Sequence, residues 1–227
     1  MQRNLLVTDD GSHTIEVPEL NVSYHSRYGA IQESLHVFIE AGFKHIISEQ
    51  QSPDPVRIFE MGFGTGLNAL LTLISAGQHK KTIYYETIEA FPPEEHLALS
   101  LNYCEQLQRP DLASVFHQLH ICKWNTKTAI TPFFQFKKTN TTLQNFSTDR
   151  LFHLIYYDAF APNAQPELWT EAIFKKLYRM LEPGGALVTY CSKGDVRRAM
   201  QVAGFAVEKL KGPPGKREML RGAKFIS

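Results

Sequence analysis

The residues that most suggest chemistry form one stretch, Glu60-Met61-Gly62-Phe63-Gly64-Thr65-Gly66-Leu67-Asn68. Three alternating glycines let a backbone pass close beneath a ligand, and a helix beginning there offers free N–H groups. The stretch follows an apolar run, Val56-Arg57-Ile58-Phe59, and precedes an apolar helical pattern. It therefore reads as strand, turn and helix, the context in which such a loop holds a nucleoside cofactor. A dinucleotide fingerprint needs Gly or Ala where Leu67 stands, so the register is GxGxG rather than GxGxxG. That register points to S-adenosylmethionine, which has no pyrophosphate to hold, and speaks against a nicotinamide oxidoreductase. Glu60, Gly62, Gly64, Gly66 and Asn68 are accordingly candidate cofactor residues.

Two carboxylates extend this set. Glu89 ends the next apolar run, 23 residues after Gly66, where it can accept both ribose hydroxyls; the plain alternative is a surface acid at a strand end. Asp158 opens Asp158-Ala159-Phe160-Ala161-Pro162 directly after Leu154-Ile155-Tyr156-Tyr157. A carboxylate there can orient an amine and accept its N–H, while Phe160 presents a ring to a sulfonium or a base. A helix-capping or loop acid is the competing reading. Trp169 is a weaker candidate, more often a packing residue than a stacking platform.

Alternating elements must position these groups. A hairpin over 4–17 turns at Asp10-Gly11, and a helix over 28–47 carries Ile31, Leu35, Phe38 and Ile39 on one face. Strands are expected at 56–61, 82–90, 115–122, 151–157, 186–191, 205–210 and 219–226. Helices are expected at 67–76, ended by Gly77, and at 92–107, 167–181 and 195–203. Residues 127–136 stay untyped, and 137–149, rich in Thr and Asn, read as a polar insertion. Strands alternating with helices imply an α/β, Rossmann-like doubly wound sheet, with residues 1–51 as an N-terminal hairpin and helix extension and 52–227 as the cofactor domain.

Composition narrows the classes further. A chain of 227 residues that is 43% hydrophobic can bury a full core, which excludes disorder. Cys104, Cys122 and Cys191 are too widely spaced for a disulfide framework or a metal knuckle, and the His residues form no HxxxH or HExxH pair. No metal is expected. No GxSxG elbow occurs, no apolar run reaches the roughly 18 residues of a membrane span, and no signal-like stretch follows the first Arg. The reading is a cytoplasmic protein without a membrane partner. The net charge of +1 conceals a segment, 193–224, with nine basic and three acidic residues, which suits a phosphate-rich partner or an ordinary solvated face.

The motifs EMGFGTGLN, YDAFAP (157–162), PELWT (166–170), Pro183-Gly184-Gly185 and GKREML (215–220) together resemble the methyltransferase part of the MnmC family. That resemblance spans about residues 28–219 and is far more specific than the glycine loop alone. It implies an S-adenosylmethionine-dependent enzyme that converts 5-aminomethyl(-2-thio)uridine at the tRNA wobble position to the methylaminomethyl product. It further implies the stand-alone, MnmD-like form without the FAD oxidase domain, so that a separate oxidase would supply the aminomethyl substrate. Asp158 would hold the amine, Tyr28 and Phe160 would border the pocket, and Lys216 and Arg217 would meet anticodon-stem phosphates. The family carries a Gly-Asp pair near the adenine, where this sequence has Lys123-Trp124-Asn125, leaving Asn125 for the adenine edge. A methyltransferase of the same fold for a small-molecule amine, and a silent RNA- or protein-binding scaffold, are the alternatives.

Overall fold

The computed structural model describes residues 2–48 and 52–225, so the boundary drawn at 51/52 and the end of the last strand at Ile226 touch residues outside the described ones. The chain opens with an antiparallel meander of β1 (Asn4–Val7), β2 (His13–Val17) and β3 (Val22–Ser23). One continuous helical stretch follows, α1 (Ala30–Ser34), a π-helical segment (Leu35–Phe43) and α2 (Lys44–Ile47). Ile15, Ala30 and Phe38 share one buried cluster with Val56 and Ile58, so this segment packs directly on the main sheet.

The remaining elements are β4 (Val56–Met61), α3 (Leu67–Gln78), β5 (Ile83–Glu89), α4 (Glu95–Leu99), α5 (Tyr103–Gln106), α6 (Ala113–Ile121), β6 (Lys127–Thr131), β7 (Phe134–Asn140), β8 (Phe152–Tyr157), α7 (Glu171–Arg179), β9 (Leu181–Thr189), α8 (Gly194–Val202), β10 (Ala206–Lys211) and β11 (Glu218–Ala223). They build an eight-stranded sheet of order β10-β11-β9-β8-β4-β5-β7-β6. The five central strands run parallel, and β6 and β11 pair antiparallel at the two sides. This is a Rossmann-like α/β fold. Helices cover both faces, which is why the central strands read as near-continuous apolar runs. Leaving β4 the chain builds β5 and β7 on one side, then crosses to β8 and β9 on the other. The strand order thus reverses between β4 and β8, and a ligand crevice opens beyond their carboxyl ends.

Several expected elements are corrected. The expected strand 115–122 falls instead in helix α6 and its cap: Leu112, Phe116 and Leu119 are buried at helical spacing, whereas Ile121 is exposed. The alternation of Val115, Leu119 and Ile121 was the misleading period. The third parallel strand is β7, within the stretch left untyped and the start of the supposed insertion. Its apolar alternation is broken by Lys138, which is buried, donates to the His120 carbonyl and lies 4.5 Å over the Trp124 ring. The rest of that insertion is anchored by buried Leu143 and Phe146. The 92–107 helix is broken into α4 and α5 around residues 100–102, and α3 continues through Gly77 to Gln78. Pro183-Gly184-Gly185 lies inside β9 at a register shift against β8 rather than before the strand.

Candidate active site

The register brings the two leading motifs together. Met61 of β4 is paired with Tyr157 of β8, so the first loop glycine and Asp158 leave the sheet side by side, with the Asp158 N–H donating to the Met61 carbonyl at 3.2 Å. Gly62 has φ +91°, and a Cβ there would lie 2.8 Å from the Asp158 carbonyl oxygen. Gly64 has φ +48°, and its missing side chain leaves room for the Tyr24 ring, which a Cβ would approach to 2.7 Å. Beyond this junction lies a cavity of about 610 Å³, lined by the loop from Gly62 to Thr65, by Asn68 and Glu89, and by the Asp158 turn.

Each candidate has a definite place. Asp158 lines the cavity and accepts from Asn68 Nδ2 at 2.9 Å. Its carboxyl is pushed up to about 7, first by burial and then by the charge of Glu33, against the opposing Asn68 hydrogen bond and Lys216. Glu89 accepts from the Gly64 N–H at 3.0 Å and the Phe91 N–H at 2.9 Å. A carboxylate has about four acceptor positions, so two remain for hydroxyls in the cavity. Phe160 lines the cavity in an edge-on contact with Tyr24, centroids 5.1 Å apart. Its backbone is fixed by Trp169, which is buried and donates Nε1–H to the Phe160 carbonyl at 2.8 Å.

Other candidates lie elsewhere. Gly66 faces His120 rather than the cavity. Tyr28 is exposed and packs over Gly215, outside the lining. Asn125 is exposed in the turn between α6 and β6, whereas Thr141 to Asn145, which follow β7, line the cavity. That difference follows from the strand correction, because β7 rather than 115–122 ends beside the site. Lys216 turns inward onto Glu33, while Arg217 is exposed. Much of the basic segment is already engaged: Lys209 pairs with Glu218, Arg221 with Glu208, and Arg198 with Asp195.

Glu60 is wholly buried under the cavity, on the same sheet face as Tyr85 and Tyr156, and does not line it. Burial, with the charge of Asp158 in the same direction, pushes its carboxyl up to about 8. That value lies above the ordinary 4.5, so between the two the folded chain keeps a proton that the unfolded chain releases. Stability at this residue is therefore full at low pH and lost as pH rises toward 8. Glu60→Gln is expected to raise the Tm by several degrees at pH 7.5 and hardly at all at pH 4, read by thermal circular dichroism. A lower Tm at pH 7.5 would contradict a neutral Glu60.

Sequence reasoning missed three residues of the N-terminal segment. Tyr24 and His25 line the cavity, the imidazole being held at about 4 by burial and hence neutral at pH 7. Arg3 also lines it and fixes the opposite wall, donating to the carbonyls of Phe91 at 2.7 Å and Pro92 at 2.8 Å. No local motif marks them; only the tertiary packing of the meander places them there.

A family model described as S-adenosyl-L-methionine-dependent methyltransferase matches residues 116–225. Proteins of Burkholderia mallei and Burkholderia pseudomallei named tRNA 5-methylaminomethyl-2-thiouridine biosynthesis bifunctional protein MnmC are 30% identical over 250 residues, covering 96% of this chain. The chain is thus similar to MnmC over nearly its whole length, and its C-terminal half matches an S-adenosyl-L-methionine-dependent methyltransferase model. The chain spans about a third of the length of those relatives, 35%. Its fold matches MNMC2 from Aquifex aeolicus with a TM-score of 0.76 at 22% identity, over 97% of this chain and 70% of that one. Spermidine synthase from Thermotoga maritima follows the same fold with a TM-score of 0.54 at 12% identity, over 100% of this chain and 73% of its own.

The residues present fit the cofactor. Glu89 lines the cavity with acceptor positions left over after the Gly64 and Phe91 N–H groups, which suits a ribose diol, and Asn68 and Asp158 line the same cavity. The described residues contain no metal-binding cluster of His, Cys, Asp or Glu, and no helix long and apolar enough to cross a membrane.

Proposed function

We propose that this chain is an S-adenosylmethionine-dependent methyltransferase that acts on the aminomethyl nitrogen of 5-aminomethyl(-2-thio)uridine at the tRNA wobble position. The observation that carries the reading is Asp158: a carboxylate with a midpoint near neutrality, fixed by Asn68 at the strand-order reversal, beside a glycine loop. The name of the Burkholderia relatives, biosynthesis of tRNA 5-methylaminomethyl-2-thiouridine, supports the nucleoside. When bound, S-adenosylmethionine supplies an electrophilic methyl group on a sulfonium. Gly62, Gly64, Asn68 and Glu89 would hold it. Asp158 accepts a proton from the acceptor amine, which attacks only as the neutral base, and aims its nitrogen. Phe160 and Tyr24 border the reacting centre with ring faces that favour positive charge.

In this reading residues 1–51 are an extension that walls the site, and 52–227 form the methyltransferase unit, working in the cytoplasm. A separate oxidase supplies the aminomethyl group. Arg217 and other exposed basic residues of 193–224 contact RNA phosphates, leaving base recognition to the cavity. Affinity for tRNA is then expected to fall with salt by a log-log slope of about −0.7 to −0.9 per phosphate contact. Filter binding from low to high salt, run beside labelled methyl transfer, tests this. A flat response, with the free aminomethyl nucleoside methylated as well as tRNA, would replace RNA by a small-molecule amine.

A further inference from the structure

Two residues from opposite ends of the chain meet behind Asp158. Glu33 on α1 is buried; its Oε2 accepts the Ser26 N–H at 2.7 Å and its Oε1 pairs with Lys216 Nζ. Lys216 belongs to the loop between β10 and β11, and its Nζ lies 3.9 Å from the centroid of the Tyr190 ring. Tyr190 follows β9, and its hydroxyl donates at 2.8 Å to the carbonyl of Ala159, the residue after Asp158. Neither Glu33 nor Lys216 lines the cavity. They border the Asp158 turn from its far side, one with a negative and one with a positive charge.

Other titratable groups also face Asp158. Glu60 lies on β4, Tyr85 on β5, Tyr103 on α5 and Tyr190 after β9, with His25 across the cavity. Burial raises the three phenols well above their ordinary range, holds Glu60 at about 8 and keeps His25 neutral. At pH 7 the formal charges acting on Asp158 are therefore those of Glu33, which favours its protonated form, and Lys216, which favours its ionised form.

We infer that Lys216 and Glu33 are positioning residues for the transfer, a charge pair that acts through Asp158 by setting whether its carboxyl is ionised when the acceptor amine arrives. The inference rests on the reading of Asp158 given under Proposed function. The step it governs is a proton transfer: an N–H bond of the acceptor ammonium breaks, its electron pair stays on nitrogen, and an O–H bond forms on Asp158. The carboxyl ends neutral and the amine ends neutral. The Lys216 ammonium is paired with the buried Glu33 carboxylate, which distinguishes this role from that of an unpaired surface cation offered to a nucleic-acid phosphate.

The test is a carbon-13 NMR titration of the Asp158 carboxyl in the full chain without cofactor, the resonance being identified by its loss in Asp158→Asn. Lys216→Met is expected to raise the midpoint by about one pH unit or more, and Glu33→Gln to lower it. The double variant returns it close to the original value, and Lys216→Arg leaves it there. The acid limb of kcat against pH is expected to move in the same order. A general loosening of the turn would move both single variants in one direction. That result, or an unmoved midpoint in variants with unchanged circular dichroism, would overturn the inference. Midpoints that separate as stated in a chain that methylates no tRNA would uphold the charge pair and overturn the nucleoside assignment instead.

Discussion

Asp158→Asn is expected to lower kcat by about 10²- to 10⁴-fold, the range for a positioned general base, while the affinity for S-adenosylmethionine stays within a few fold. Asparagine keeps the shape and can still accept from Asn68 Nδ2, which now lies 2.9 Å from Asp158 Oδ2. What it loses is the capacity to take a proton. The wild-type kcat should rise with pH through about 7, where the Asp158 carboxyl ionises, and the variant should lack that limb. Stability gives an independent check. The folded midpoint lies above the ordinary 3.8, so the folded chain retains a proton that the unfolded chain releases between the two. Stability is lost across that window as pH rises, and asparagine removes the loss. The variant should melt no lower than the parent at pH 7.5 although it is nearly inactive. Steady-state kinetics, calorimetric cofactor titration and thermal melts check the three parts, and full turnover in the variant would refute the role of Asp158.

The second large effect is expected at the loop. Gly62→Ala places a Cβ 2.8 Å from the Asp158 carbonyl oxygen at φ +91°, where no flexible side chain can give way. Backbone strain of this kind costs about 1–3 kcal/mol, and relieving it must part β4 from β8 at the cofactor site. Cofactor affinity is expected to fall at least about tenfold, the equivalent of 1.4 kcal/mol, with a lowered Tm. Gly77→Ala is the matched control, since Gly77 lies inside α3 with no neighbouring atom within 4 Å. There alanine should stabilise by about 0.5–1 kcal/mol and leave cofactor binding unchanged. Equal binding by both variants would remove the glycine loop from the cofactor site.

These two sites were legible in the sequence for physical reasons. The run 56–61 is apolar because both sheet faces are covered there, and the glycines stand where the backbone takes positive φ. Asp158 was legible because a carboxylate directly after four buried strand residues has few structural uses. Legibility failed where tertiary packing overrode a local pattern. Residues 115–122 carry two competing hydrophobic periods, and Lys138 hides β7 by placing a buried ammonium on a helix-end carbonyl and an aromatic face. Shifting the third strand carries the cavity wall from Asn125 to Thr141 and its successors. Tyr24 was missed for Tyr28 because the meander, not a motif, decides which tyrosine faces the loop. Lys216 sits in a basic segment that suggests phosphate contact, and only the fold reveals its buried partner Glu33.

The most direct measurement incubates the purified chain with S-adenosylmethionine and tRNA carrying 5-aminomethyl-2-thiouridine, then analyses the nucleosides by mass spectrometry. The expected result is loss of the aminomethyl nucleoside and appearance of a wobble nucleoside heavier by one methylene unit, with the new methyl on the side-chain nitrogen. An unchanged nucleoside, in a preparation that binds S-adenosylmethionine, would contradict it.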